Sequence, residues 1–115
     1  MKDVLVIDDD PDDLALYQTA LLAAGYKVTI AANGQAALDA MSVRPPQLIV
    51  VDWHMPLMDG IAFSIEVRRR FVFWRTPIIL VSRDSEPLQP NHPWTVFFRK
   101  PVDLGHLLDT VAYLA

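Results

Sequence analysis

Residues 48–52 read Leu48-Ile49-Val50-Val51-Asp52, four apolar residues that run directly into a carboxylate. Residues 4–9 repeat this pattern as Val4-Leu5-Val6-Ile7-Asp8-Asp9. Continuous apolar runs rich in β-branched residues are typical of strands buried on both faces of a parallel sheet. The carboxyl ends of parallel strands lie at one edge of their sheet, so Asp8, Asp9 and Asp52 are expected to share an acidic pocket there.

The rest of the chain alternates between strand and helix patterns. Further strands are predicted at residues 27–31, 78–81 and 96–98. Helices are predicted after Asp10, at residues 35–41, from about 61 to 70, and after Asp103. This alternation predicts an α/β fold with a doubly wound, five-stranded parallel sheet. The core-facing stripe of the first helix is predicted to consist of Leu14, Tyr17, Leu21 and Leu22.

Composition limits the function classes. The chain has 115 residues, of which 52% are hydrophobic, and we expect residues 1–115 to form one domain. A net charge of −4 argues against general binding of nucleic acid, and the lack of cysteine excludes thiolate catalysis. No secretory signal and no bilayer-spanning apolar stretch follows Met1, so a cytoplasmic location without a membrane segment is expected.

Polar residues also follow the last two predicted strands, namely Ser82 and Lys100, and Pro101 comes directly after Lys100. Three crowded carboxylates repel one another and therefore favour a bound cation. Hard oxygen ligands with room for water suit Mg²⁺. A carboxylate beside a metal ion, a hydroxyl and an ammonium group is a reasonable acceptor for a phosphoryl group, whose transfer depends on positioning and charge neutralisation.

Taken in order, these motifs resemble a response regulator receiver domain of two-component signalling. They are Asp8-Asp9, the run Asp52…Met55-Pro56…Met58-Asp59-Gly60, then Ser82, and finally Lys100-Pro101. The resemblance covers essentially the whole chain. It implies a flavodoxin-like sheet with strand order 2-1-3-4-5.

The resemblance also implies a role for each matching residue around the acidic pocket. Asp52 is expected to be the phosphoacceptor. Asp9 and Asp52 are expected to bind Mg²⁺ directly, together with the backbone carbonyl of His54, while Asp8 assists. The side chains of His54 and Asp84 are expected to tune the lifetime of the phosphoryl group.

The resemblance implies a second set of residues that respond to phosphorylation. Ser82 is expected to be the switch hydroxyl and Phe97 either the switch aromatic or a plain core residue. Lys100 is expected to pair with the acceptor carboxylate or its phosphoryl group. The Lys100–Pro101 peptide bond is expected to be cis.

The sequence departs from the family pattern at two places. Arg83 stands where a small residue is usual, and it is expected either to narrow the entrance for small phosphodonors or to touch the phosphoryl group. The segment between Ser82 and Lys100 is short and contains Pro87, Pro90 and Pro93. The fourth helix of the family is therefore expected to be shortened or lost.

Two charged segments are assigned to the surface. Asp10, Asp12 and Asp13 are expected to be solvated residues at a helix N-terminus, and residues 68–70 a solvated helix end rather than a nucleic-acid site. Part of the following run at residues 71–74 is expected to pack into the core, and any exposed part would mark a partner surface.

The leading functional hypothesis is a phosphoacceptor switch that is not an enzyme beyond its own phosphoryl transfer and autodephosphorylation. Its donor would be a sensor histidine kinase or a histidine phosphotransfer protein, and it would act on a downstream output protein or domain. It would be a stand-alone regulator or the N-terminal piece of a longer one. The main alternative is a receiver-fold interaction module that works without phosphorylation. A Mg²⁺-dependent phosphohydrolase is a third possibility, which the absence of a cap domain disfavours.

Overall fold

A computed structural model describes residues 2–115, and this part of the chain contains five strands and four α-helices. The elements follow in the order β1 (Asp3–Ile7), α1 (Pro11–Ala23), β2 (Lys27–Ala31), α2 (Gly34–Val43), β3 (Leu48–Asp52), α3 (Gly60–Arg69), β4 (Ile78–Ser82), β5 (Val96–Arg99) and α4 (Leu104–Leu114). A short 3-10 turn, Phe71–Phe73, follows α3. Within residues 2–115 no helix has the length and apolar character needed to cross a membrane.

All five strands are parallel and lie in the order β2-β1-β3-β4-β5. The predicted doubly wound sheet and its strand order are therefore confirmed. Ile7 pairs with Val51, Asp52 with Val81, and Ser82 with Arg99. This register brings the carboxyl ends of the four strands β1, β3, β4 and β5 to the same level at one edge of the sheet.

The sheet separates two layers of core. Alternate residues of β1 and β3 point to opposite sides, so that Leu5 and Ile49 pack with α2 and α3 while Val4 and Val50 pack with α1 and α4. Both β3 and β4 are buried along their whole length. Burial on both faces is the reason these strands read as continuous apolar runs.

Helix α1 shows one error in the predicted core. Leu14, Tyr17 and Leu21 are buried as expected, but Leu22 is 52% exposed. Leu22 follows Leu21 by one position, which is about 100° around the helix and turns its side chain away from the sheet. The prediction that Leu22 faces the core is therefore wrong.

No helix lies between β4 and β5, and the predicted loss of the fourth helix of the family is confirmed. The segment instead folds around Trp94, whose side chain is only 2% exposed. The indole nitrogen of Trp94 donates to Glu86 Oε2 at 2.8 Å, and the His92 ring stacks on the indole with centroids 4.4 Å apart. An aromatic anchor thus replaces the helix.

Arg68 ties this segment to α3. Its Nε donates to the carbonyl of Pro93 at 2.9 Å, and its Nη1 donates to the carbonyls of Phe73 at 3.0 Å and Thr76 at 2.7 Å. Burial of the guanidinium lowers the pKa of Arg68. The interpretation of residues 68–70 as a solvated helix end is therefore wrong for Arg68, which is half-buried and satisfies partly buried backbone carbonyls.

Candidate functional site

The backbone places the candidate site at the carboxyl edge of the sheet. Trp53, which follows β3, donates its N–H to the carbonyl of Val81 at 2.8 Å. Lys100, which follows β5, donates its N–H to the carbonyl of Ser82 at 2.7 Å. These bonds extend the ladders by one residue beyond the strands. The side chains at the strand ends are consequently held on ordered backbone.

Asp8, Asp9 and Asp52 form an acidic cluster at this edge. Each offers a carboxylate oxygen, and the three oxygens lie within 4.8 Å of one another. Asp8 and Asp52 are buried, whereas Asp9 is exposed to solvent. The cluster lines a cavity of about 210 Å³ together with Ser82, Arg83 and Lys100. The three carboxylates therefore lie in one pocket, as the sequence predicts.

Lys100 is the cation that contacts these carboxylates. Its Nζ lies 3.1 Å from Asp52 Oδ1, 3.2 Å from Asp8 Oδ2 and 2.7 Å from Asp13 Oδ2. The contact with Asp13 corrects the sequence interpretation, which treated that residue as a solvated part of a helix N-terminus. Asp10 does cap α1, since its side chain accepts from the N–H of Asp12.

Burial and like charge disfavour ionisation of the Asp52 carboxylate. Desolvation, followed by the charge of Asp8, raises the pKa of Asp52 to about 6, although Lys100 acts in the opposite direction. Desolvation also raises the pKa of Asp8, against a backbone hydrogen bond from Asp10 and the charge of Lys100. Burial alone would lower the pKa of Lys100, but its hydrogen bond to Asp13 and the nearby carboxylates raise it.

This donor set fits a divalent cation. The cluster holds three carboxylates, and a single ammonium group does not balance their negative charge when all three are ionised. The raised pKa values of Asp8 and Asp52 show that ionisation of these two carboxylates is unfavourable without a further cation. All the donors are hard oxygen atoms, and the exposed side of Asp9 leaves room for water, as Mg²⁺ requires.

The loop after β3 is fixed by Gly60. The Gly60 N–H donates to the carbonyl of Trp53 at 2.7 Å, and a Cβ at Gly60 would lie 2.3 Å from the carbonyl oxygen of Asp52. The side chain of Asp59 caps α3 by accepting from the N–H of Ala62 at 2.7 Å. Glycine is therefore required for α3 to begin directly against the end of β3, where Asp52 lies.

His54 and Asp84 contact each other at the rim of the pocket. His54 Nε2 lies 2.6 Å from Asp84 Oδ2, and the His54 ring stacks on Trp53 with centroids 4.4 Å apart. The N–H of Asp84 in turn donates to the buried hydroxyl of Ser82 at 3.1 Å. The family resemblance names the two residues together as tuning residues, but the sequence gives no sign of the contact, because 30 positions separate them in the chain.

The remaining predicted site residues lie around the pocket. Arg83 is exposed and lines both the acidic pocket and a neighbouring cavity of about 380 Å³ beside α1. Phe97 is partly buried and packs against the core layer of α2 and α3. The Lys100–Pro101 peptide bond is cis.

Comparisons with known proteins agree with this arrangement. The family model described as the response regulator receiver domain matches residues 4–112. The sensory/regulatory protein RpfC of Xanthomonas campestris pv. campestris is 32% identical over 118 aligned residues, which cover 97% of this chain but only 16% of RpfC. This chain thus spans a small part of that longer relative.

Two solved structures show the same fold. The chemotaxis protein CheY4 of Vibrio cholerae superimposes with a TM-score of 0.92 at 28% identity, over 100% of this chain and 99% of CheY4. The response regulator TrrA of Thermotoga maritima, solved in complex with Mg²⁺–BeF, gives a TM-score of 0.90 at 26% identity over 100% of both chains. The chain belongs to the response regulator receiver domain family of two-component systems.

Proposed function

We propose that Asp52 accepts a phosphoryl group from a phosphohistidine of a sensor histidine kinase or a histidine phosphotransfer protein, and that this modification changes the binding of a downstream output protein or domain. The observation that carries the proposal is the meeting of three carboxylates within 4.8 Å with an ammonium group 3.1 Å from Asp52. Receiver domains as a class are non-enzymatic signalling modules, and this role agrees with that class.

The proposed transfer is a direct displacement at phosphorus. A carboxylate oxygen of Asp52 forms the new O–P bond while the N–P bond to the donor imidazole breaks, and the imidazole takes up a proton as it leaves. Asp9, Asp52 and the backbone carbonyl of His54 would hold Mg²⁺, with Asp8 assisting, and the bound ion supplies neutralisation of charge on the phosphoryl oxygens. Lys100 lies close enough to Asp52 to pair with the product.

Ser82 is proposed to bind the phosphoryl group through its hydroxyl and so respond to phosphorylation. Its hydroxyl accepts from the N–H of Asp84, so its own proton remains available to donate to a phosphoryl oxygen. Phe97 is proposed to move with it, because the partly buried ring lies on the neighbouring strand β5. Such a change would rebalance two conformations and thereby alter partner affinity.

His54 and Asp84 are proposed to tune hydrolysis of the acyl phosphate. Their 2.6 Å contact lies at the rim of the cavity that holds Asp52. The double variant His54→Ala/Asp84→Ala is expected to change the autodephosphorylation rate, measured by release of inorganic phosphate. An unchanged rate would reject a tuning role for this pair.

Arg83 is proposed to restrict small phosphodonors. The exposed side chain lines the cavity in front of Asp52. Labelling by acetyl phosphate is expected to be faster for Arg83→Ala than for the parent chain, with Arg70→Ala, at an exposed arginine after α3, as the control. Equal labelling rates for Arg83→Ala and the parent chain would reject the restriction.

Beryllofluoride provides the direct test of the switch, because it mimics a phosphoryl group on a carboxylate. Trp53 stands next to Asp52, so its fluorescence is expected to change with Mg²⁺ and again with beryllofluoride. The Asp52→Asn variant should lose the beryllofluoride response, and Trp53→Phe identifies the reporter among the three tryptophans. A parent chain that binds neither Mg²⁺ nor the mimic by calorimetry would refute the proposal.

A second candidate function is a receiver-fold interaction module that works without phosphorylation. The specific observation in its favour is the replacement of a helix between β4 and β5 by a segment anchored through Trp94. This function predicts that partner affinity is the same for the parent chain and Asp52→Asn, with and without beryllofluoride. A partner that distinguishes the two states would exclude it.

A further inference from the structure

A short ridge after α3 combines exposed apolar and basic side chains. The ridge consists of Arg69, Arg70, Phe71, Val72, Trp74 and Arg75. Phe71 is 86% exposed, Val72 76% and Trp74 56%. Three large apolar side chains exposed within four positions are unusual for a surface turn and mark a contact surface.

The ridge is held in place from beneath. Phe73, in the middle of the exposed run, is buried in the core layer of α2 and α3. Arg68 donates to the carbonyls of Phe73, Trp74 and Thr76 at 3.0, 3.2 and 2.7 Å. A surface that is ordered before it binds loses less conformational entropy on binding. The backbone of the ridge is therefore preorganised to present its side chains.

The ridge is positively charged, which favours a negatively charged ligand. Residues 68–75 hold four of the ten basic residues of a chain whose net charge is −4, and they hold no acidic residue. Arg75 lies over the Trp74 ring, with its guanidinium carbon 5.1 Å from the centroid, so cation and aromatic form one contact unit. A depression of about 440 Å³ borders Arg69 and continues the surface towards Ile65 and His92.

These features favour a protein partner over a membrane or a nucleic acid. Arginine and tryptophan are among the residues that contribute most to affinity in protein interfaces. The planar guanidinium group of arginine can donate two parallel hydrogen bonds to a carboxylate. Arg68 is engaged internally, and Arg69 Nη1 contacts Glu66 Oε1 at 3.0 Å, so at most three arginines are available to a ligand. This number is below the clusters of about four to eight basic residues that recognise anionic lipids. Three cations also release few counterions on a nucleic-acid backbone.

We propose that this ridge is a docking site for an acidic segment of a partner protein that carries aliphatic or aromatic side chains. Carboxylates of the segment would pair with Arg69, Arg70 and Arg75, while its apolar side chains would cover Phe71, Val72 and Trp74. Helix α3 begins against Asp52 at Gly60, and the ridge lies at the opposite end of this ten-residue helix, about 15 Å along its axis. Occupation of the ridge is therefore expected to leave the Asp52 cavity open.

The test uses a fluorescein-labelled synthetic peptide rich in Asp and Leu, and a matched peptide with Asn in place of Asp. Anisotropy should show saturable binding of the acidic peptide to the parent chain at physiological ionic strength. Binding is expected to weaken about tenfold or more in Phe71→Ser/Trp74→Ser and in Arg69→Gln/Arg70→Gln. The control Val43→Ser/Arg44→Gln, an exposed apolar and basic pair at the end of α2, should bind like the parent chain.

Each outcome decides the proposal. Equal affinity of the ridge variants and the parent chain, or equal affinity of the two peptides, would overturn it. Stronger binding to phosphatidylglycerol vesicles or to oligothymidylate than to the acidic peptide would also overturn it. The same holds for concentration-dependent self-association that the ridge variants abolish. The substituted residues are exposed, so each variant is expected to retain the fold. An unchanged far-ultraviolet circular dichroism spectrum of each variant verifies this.

Discussion

Ionisation of Asp52 lowers the free energy of unfolding. Burial, followed by the charge of Asp8, raises its pKa to about 6, whereas an aspartate in an unfolded chain titrates near 4. Between these values the folded protein retains a proton that the unfolded chain has lost. The contribution of Asp52 to the free energy of unfolding therefore falls as pH rises through this window.

Asp52→Asn is consequently expected to stabilise the metal-free protein at neutral pH. The free energy of unfolding should rise by on the order of 1–3 kcal/mol above about pH 7 and change little below about pH 4, where both states hold the proton. Urea denaturation in a chelator at both pH values measures the difference. Asp109→Asn, on the exposed side of α4, is the control. A gain that is the same at both pH values would contradict the assignment.

Asp13 offers a second test at the same site, because its neighbour Asp12 provides a matched control. Both residues lie in the first turn of α1, so either substitution by asparagine removes the same favourable charge from the helix N-terminus. Only Asp13 contacts Lys100, at 2.7 Å. Asp13→Asn should lower the free energy of unfolding by about 1–2 kcal/mol more than Asp12→Asn. Equal losses would show that the Lys100 contact adds nothing.

The sequence predicted site residues that follow strands and missed those that depend on distant partners. Asp8, Asp52 and Ser82 were found because each directly follows an apolar run, and Lys100 because it lies two positions after one. The role of Asp13 was missed because its partner lies 87 positions away, and nothing in the pattern of α1 separates it from Asp12. The same holds for Arg68, whose acceptor Pro93 is 25 positions away.

One buried side chain anchors the segment between β4 and β5 in the core. Trp94 is buried, and its indole nitrogen donates to Glu86. Trp94→Ala should lower the free energy of unfolding by about 3–5 kcal/mol, since it leaves a large cavity in the core layer. Leu88→Ala, in the same segment but fully exposed, should stay within about 0.5 kcal/mol of the parent chain.

Denaturation followed by far-ultraviolet circular dichroism measures both variants without relying on tryptophan emission. A loss in Trp94→Ala no larger than that in Leu88→Ala would mean that Trp94 does not anchor the segment. The sequence predicted the missing helix from its three prolines. It did not predict the anchor, because a tryptophan beside Pro93 has no helical or strand periodicity that would place it in the core.

The acidic site is linked to the global stability of the domain. Asp8 and Asp9 directly follow β1 and Asp52 ends β3, and the side chains of both strands pack in both core layers, so unfolding of the sheet destroys the site. An ion that binds only the folded protein raises the free energy of unfolding by about 2.7 kcal/mol when its concentration is 100 times its dissociation constant. Mg²⁺ should therefore stabilise the entire domain.

This stabilisation is expected to depend on both residue and pH. Protonation of Asp52, whose pKa is about 6, competes with the ion, so added Mg²⁺ should raise the midpoint of urea unfolding more at neutral pH than near pH 4. Asp9→Asn should remove most of the effect by deleting the solvent-facing ligand, whereas Asp109→Asn should retain it. NaCl at equal ionic strength separates binding from screening. A Mg²⁺ effect that survives Asp9→Asn, or that NaCl reproduces, would place the ion outside the cluster of Asp8, Asp9 and Asp52.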